Sequence, residues 1–238
     1  MIEIPRAASM LTGSVALTAA LLAGCAAAPS RVDPLEPMNR ALYEVHDVVD
    51  TNLVKPIAQA YVDVVPRPIR VAVSNVFNNI DDLFSAINSA LQGKPDKFGN
   101  DMGRVILNTG LGVGGIFDLA SEMGIERGNE DFGQTFGMWG FGQGPYLFVP
   151  LFGPTTVRDG TGLVVRIALG PVGTIPDVAL RNSLYGLGAV DLRAQVIGAG
   201  ELVDTAALDR YLFIRNAYLQ RRRYLLYDGN PPREIEEE

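Results

Sequence analysis

The sequence predicts a mainly α-helical fold, and three observations carry that prediction. Apolar residues recur at three- and four-residue steps over long stretches, prolines stand at the starts of those stretches, and alternating strand-like runs are sparse. The clearest stretch starts at Pro68. Ile69, Val73, Val76, Phe77, Ile80, Leu83, Phe84, Ile87 and Leu91 follow at helical spacing, and Gly93 closes it. This is an amphipathic helix of about six turns. Its stripe is read first as a face packed on a core, with lipid contact as the alternative.

The other elements follow in order. Asp33-Pro34-Leu35-Glu36-Pro37 opens a helix running to about Thr51. A further helix begins at Pro95-Asp96 and carries Phe98, Met102, Val105 and Ile106 on one side. Near the C-terminus, Leu208, Tyr211, Leu212, Tyr218, Leu219, Leu225 and Leu226 mark a long helix, with Asp204 or Thr205 as its expected cap. Arg215 and Arg222 fall close to that stripe, while Arg221 and Arg223 complement the negative end of the helix dipole. A solvated helix end and a lipid-phosphate contact are both open for these arginines. No internal repeat or long low-complexity linker divides the chain, so residues 35–228 are read as one domain.

The N-terminus determines the compartment. Residues 7–24 carry no charge and consist mostly of Ala, Leu, Val, Thr and Ser. The run is short and rich in small residues for a membrane span, which needs roughly 20 apolar residues. It ends in Leu21-Leu22-Ala23-Gly24-Cys25, which resembles the bacterial lipobox, where the thiol takes a diacylglycerol and cleavage falls just before the Cys. Residues 1–24 are therefore expected to be a lipoprotein signal peptide, Cys25 the lipidated residue, and 25–34 a tether. Cys25 is the only cysteine, so no disulfide can form within the molecule. Ala26 rather than Asp after the Cys favours the outer membrane, by resemblance to enterobacterial sorting.

The net charge is −7, which disfavours nucleic acid as a partner. Part of the excess lies in a short acidic tail, 229–238, with Glu234, Glu236, Glu237 and Glu238. A catalytic set does not emerge. His46 is the sole histidine and is read as a helix-surface residue; no Gly-x-Ser-x-Gly elbow exists. The pairs Asp81-Asp82 and Glu130-Asp131 are adjacent, and adjacent residues on a helix do not face each other. With one His and no free Cys, the usual metal clusters are out of reach, and no cofactor or metal is expected. Gly110-x-Gly112-x-x-Gly115 has the spacing of a dinucleotide fingerprint, but it follows a helical approach rather than a strand, so close packing through small residues is the better account. A membrane-tethered acyl-ester hydrolase is the rival from another class, and a surface-adhesive lipoprotein a third.

Residues 132–157 are unusual. These 26 residues carry no charge and hold seven aromatics, six Gly and three Pro. A lipid-exposed helix so interrupted would leave backbone groups unsatisfied, at several kcal/mol each. Two readings stand: a looped element lying against one leaflet or lining a cavity, or a turn-rich segment of the core.

Several motifs together resemble the MlaA (VacJ) family of outer-membrane lipoproteins. They are Asp33-Pro34-x-Glu36-Pro37-Met38-Asn39-Arg40; Asn108-Thr109-x-x-Gly112-x-x-Gly115-x-x-Asp118; Glu130 through Gly137, on to Gly142-x-Gly144-Pro145-Tyr146, Pro150 through Pro154 and Arg158-Asp159; and Tyr211-x-x-x-Arg215-x-Ala217-Tyr218. The resemblance implies a ring-like helical protein embedded in the inner leaflet of the outer membrane, with an amphipathic central channel. It implies removal of misplaced phospholipid, work beside a trimeric porin, and delivery to a soluble periplasmic carrier, MlaC. It also favours the membrane reading of 132–157, with Phe136, Trp139, Phe141, Gly142, Gly144 and Tyr146 as the expected channel or membrane loop. The protein is thus expected not to be an enzyme.

Overall fold

Residues 33–232 are described in a computed structural model, and helices dominate them. The signal segment, Cys25 and residues 233–238 lie outside the described residues. Helix α1, Glu36–Val49, carries Pro37 in its first turn, where a missing N–H has no intrahelical partner to lose. The chain does not stop near Thr51. It passes through a π-helical turn, Asp50–Val54, straight into α2, Lys55–Val64. Pro56 explains the widened turn, because its ring cannot donate to the carbonyl four residues back and would clash with it.

Helix α3, Arg67–Leu91, ends where Gly93 takes φ +70°, which lets Lys94 N–H reach the Ser89 carbonyl at 2.9 Å. Helix α4, Pro95–Gly110, packs back against it. After the short α5, Leu119–Glu122, and α6, Phe132–Met138, a hairpin forms from β1, Tyr146–Val149, and β2, Gly153–Thr156. Their antiparallel register pairs Tyr146 with Thr156 and Val149 with Gly153. Then come α7, Val157–Leu169; a 3₁₀ turn, Pro171–Thr174; α8, Val178–Gln195; α9, Ile197–Ala206; and α10, Arg210–Leu226. The mainly α class holds. The expected cap does not: residues 204 and 205 lie inside α9, and Asp209 caps α10 by accepting from Leu212 N–H at 3.0 Å.

The polarity of the packing is the main finding. Among the described residues, eight buried side chains are hydrophobic and nineteen are polar or charged, the reverse of an ordinary soluble domain. Helix α3 shows why. Its buried residues include Asp82, Ser85, Asn88 and Ser89, whereas Ile69, Leu83, Ile87 and Leu91 of the predicted stripe are exposed. Only Phe84 of that stripe is deeply buried. The core reading of the stripe is therefore corrected: the polar face turns inward because α4 brings ionic partners to it. Arg104, fully buried on α4, donates to Asp82 Oδ2 at 2.9 Å, to Asp118 at 2.9 and 3.0 Å, and to the Ile125 carbonyl at 2.6 Å.

A small apolar core of Tyr146, Phe148 and Tyr211 joins the hairpin to α1 and α10. Asn39, fully buried on α1, donates to the Tyr146 carbonyl at 3.0 Å and accepts from Phe148 N–H at 2.9 Å. It acts as a third strand for the edge of β1, which would otherwise present open backbone groups. Asp33 accepts from Asn39 at 2.9 Å and from the Tyr211 hydroxyl, and Arg215 donates to Glu36 at 3.1 Å. These contacts tie the two ends of the domain together.

Candidate functional site

The uncharged segment 132–157 divides into buried and exposed parts. Phe132, Gly133, Gln134 and Thr135 of α6 are buried, as are Tyr146 and Phe148 of β1. Between and beyond them, Trp139 is 53% exposed, Phe141 62% and Leu151 and Phe152 63% each. The exit from α6 is an aromatic elbow. Phe136 packs with Trp139 and Phe141 at centroid distances of 6.0 and 6.1 Å. The Trp139 indole N–H donates to the Leu91 carbonyl at 3.2 Å, tying the elbow to the end of α3.

The amides of Trp139, Gly140 and Phe141 are satisfied within the elbow. Gly140 takes φ +90°, a left-handed conformation closed to most side chains, and this lets Phe141 N–H bond the Phe136 carbonyl at 2.9 Å. An irregular turn of that kind tolerates an apolar medium, because few groups are left to hydrogen-bond with water. A Trp with one bonded edge and one open face suits the headgroup level of a membrane.

An ion network holds the elbow in place. Asp131 caps α6 through Gln134 N–H at 2.9 Å and accepts from Arg222 at 3.0 Å. Arg222 also donates to Asp159 at 3.0 Å, and the Tyr218 hydroxyl donates to Asp159 at 2.7 Å. Although burial opposes ionisation, Arg222 holds the Asp131 carboxyl below the usual carboxylate range. Burial and the neighbouring Asp159 charge push the Tyr218 phenol up, so it stays a donor. Helices α6 and α7 cross closely at Gly162, where an added Cβ would meet the Gly133 nitrogen at 2.5 Å.

Of the residues expected in the loop, Phe136, Trp139, Phe141, Gly142 and Gly144 lie on or beside the elbow. Tyr146 does not. It is 1% exposed in the core against Tyr211 and Tyr218, because the strand's alternation turns it inward. The core reading thus holds for residues 132–135 and for Tyr146 and Phe148, while the elbow and the hairpin tip are exposed. His46 is also not a plain surface residue: its Nδ1 accepts from Leu151 N–H at 3.1 Å, and its ring packs on Phe148. Arg215 and Arg222 are buried in ion pairs rather than solvated. The adjacent acids part company as expected, Asp82 to Arg104 and Asp81 to Arg166, Glu130 to Lys97 and Asp131 to Arg222. The glycines 112 and 115 serve packing: a Cβ at Gly112 would meet the Phe117 and Asn108 carbonyls, and one at Gly115 the Asn79 side chain.

Sequence reasoning missed a polar pocket between α2, α3 and α8 that involves Arg67, Arg70 and Asp191. Its only sequence signals are two arginines one helical turn apart and a lone acid in an apolar stretch. Among the described residues no group of three or more His, Cys, Asp or Glu is placed to hold a metal, and no helix is long and apolar enough to cross a membrane.

The comparisons agree with one another. The chain is 33% identical to the intermembrane phospholipid transport system lipoprotein MlaA of Escherichia coli (strain K12) over 224 residues, covering 91% of this chain and 88% of that protein. It is 33% identical to the protein of the same name from Haemophilus influenzae over 232 residues, covering 90% and 89%. A solved structure from work on the structural basis for maintenance of bacterial outer membrane lipid asymmetry superposes with a TM-score of 0.72 at 30% identity, covering 82% of this chain and all of that one. The MlaA lipoprotein family matches residues 31–225, the whole helical body with its elbow and hairpin, and the chain belongs to that family.

Proposed function

We propose that the protein is a lipid-anchored component of the outer membrane, facing the periplasm, that moves phospholipid between membranes and so maintains lipid asymmetry. It takes misplaced phospholipid from the outer leaflet through an amphipathic channel and passes it to a periplasmic carrier of the MlaC kind, beside a trimeric porin. The observation that carries this reading is the inverted polarity: buried ion networks inside, and large apolar side chains on the outside of α3, the elbow and the hairpin tip. An exposed apolar surface of this extent marks a membrane or partner contact. Headgroups follow the polar interior while acyl chains stay on apolar walls. The reading contains no chemical step, and flow continues only while the carrier is emptied elsewhere. Names of the relatives support the transport class.

The test uses cells lacking the chromosomal copy and measures phosphatidylethanolamine reachable from outside by an amine-labelling reagent. Wild-type protein restores a low level, and Phe141→Asp, which puts a charge on the exposed elbow, leaves it raised at equal protein abundance. Phe141 is a better choice than Gly144, whose φ of +69° strains any substitution. Full restoration by Phe141→Asp would remove the elbow from the mechanism.

A further inference from the structure

A pocket of about 200 Å³ opens between α2, α3 and α8. It is smaller than the roughly 300–1,000 Å³ that drug-sized ligands fill, so it suits a headgroup and not a whole lipid. Two guanidinium groups stand on one side. Arg67 and Arg70 are three residues apart and share one face at the start of α3. Arg70 is aimed by its own backbone, its Nε donating to the Val65 carbonyl at 3.0 Å, which leaves both terminal nitrogens for a ligand. Among the described residues neither arginine has a carboxylate within 4 Å. Like charges at this spacing repel, and a bound anion converts that cost into a gain.

Asp191 of α8 also lines the pocket and is 3% exposed. All of its donors are neutral: the Tyr61 hydroxyl at 3.1 Å, Ser74 Oγ at 2.8 Å and Gln195 Nε2 at 2.8 Å. Burial and the adjoining carboxylate push the Tyr61 phenol up to about 12, so it remains a donor. Among the described residues no cationic side chain hydrogen-bonds to that carboxylate. The pocket thus brings two arginines and one carboxyl group into a single lining. Its surroundings are apolar, with Val64 79% and Leu192 64% exposed on the flanking helix turns and Val71 lining the mouth.

We infer that this pocket is a headgroup site for zwitterionic aminophospholipid, with Arg67 and Arg70 on the phosphate, Asp191 facing the ammonium, and the acyl chains along the apolar rim. The inference rests on the phospholipid-transport reading and adds to it a preference for ethanolamine over glycerol headgroups.

The experiment uses the purified full-length lipoprotein in a non-ionic detergent and measures binding of dihexanoyl-phosphatidylethanolamine, dihexanoyl-phosphatidylglycerol and inorganic phosphate. Wild-type protein is expected to bind the ethanolamine lipid about tenfold more tightly than the glycerol lipid, the scale of one partly shielded charge pair. Asp191→Asn keeps the side chain's size and brings the two lipids to parity, and Asp191→Glu restores the preference. Arg67→Gln, at an exposed position that the fold does not depend on, weakens both lipids several-fold. Equal binding of the two lipids by wild-type protein, or an unchanged ratio in Asp191→Asn, overturns the assignment, and so does phosphate binding as tightly as the ethanolamine lipid. Unchanged affinity in Arg67→Gln overturns it independently of any folding defect at Asp191. Failure of the transport reading is a separate outcome, seen when wild-type protein leaves surface phosphatidylethanolamine high in cells.

Discussion

Arg104 shows what single residues do in this protein. Its guanidinium is fully buried and every donating edge is used: Asp82 and Asp118, Ser121 Oγ at 3.1 Å, and the Ile125 carbonyl. Hydrogen bonds from Ser121 and Asn108 and the Arg104 charge outweigh burial and hold Asp118 down at about 2. At Asp82 burial wins and the pKa rises, despite Arg127 and Arg104. Replacing Arg104 with Leu strands one buried acid and one half-shielded acid. Loss of one partner from a buried pair costs about 3–5 kcal/mol. Arg127, 3.2 Å from Asp82, offsets part of it, so urea denaturation of Arg104→Leu is expected to show a loss near the lower bound. The double variant Arg104→Leu/Asp82→Asn should recover some of that loss. A loss in the double variant equal to that of Arg104→Leu would contradict the pairing.

At the level of elements, the tip of the hairpin is latched by an imidazole. Leu151 sits at φ +69°, an uncommon conformation for a branched side chain, and its N–H is taken by His46 Nδ1 at 3.1 Å. Only the neutral ring can accept there. Burial lowers the His46 pKa below the ordinary 6.5, outweighing the opposing pull of Asp50 and Asp47. A depressed histidine pKa means that the unfolded chain binds the proton more readily. The stability contributed by this contact is therefore full above pH 6.5 and declines as the pH falls through the lowered value. Hydrogen-exchange protection of the Leu151 amide is expected to drop between about pH 7.5 and about pH 5, and His46→Gln should remove that dependence. A pH-independent protection factor in the wild-type protein would rule out the latch.

For the whole molecule, the inverted polarity bears on the anchor. On the transport reading proposed above, a body that exposes Trp139, Phe141, Leu151, Phe152 and much of one face of α3 would hold to a leaflet through its own surface. On the same proposal, a lipid on Cys25 would serve delivery more than retention. A Cys25→Ala protein, exported through a non-lipoprotein signal, is expected to remain with outer-membrane fractions in a salt wash, at reduced yield. Recovery of all of it in the soluble periplasm would show that the acyl chains do the holding.

Much of this was legible in the sequence. The helical class, the bounds of α3 within a residue or two, the start of α4 and family membership all follow from local signals, because proline placement, glycine stops and apolar spacing act over a few residues. The direction in which a stripe faces is not local. Leu83, Ile87 and Leu91 have the spacing of a core face, and only the arrival of Arg104 opposite Asp82, 22 positions away, turns the polar side inward. The hairpin was missed for the same reason. Its four-residue strands carry little periodicity, and their edge is completed by Asn39, 107 residues before Tyr146. The pocket at Arg67, Arg70 and Asp191 is wholly tertiary, since its opposing charges meet only when α8 packs on α2 and α3. The sequence by itself determined that this is a helical, MlaA-type chain with a charge-free aromatic segment. Tertiary structure alone decided which of those aromatics face outward, since burial depends on partners far along the chain.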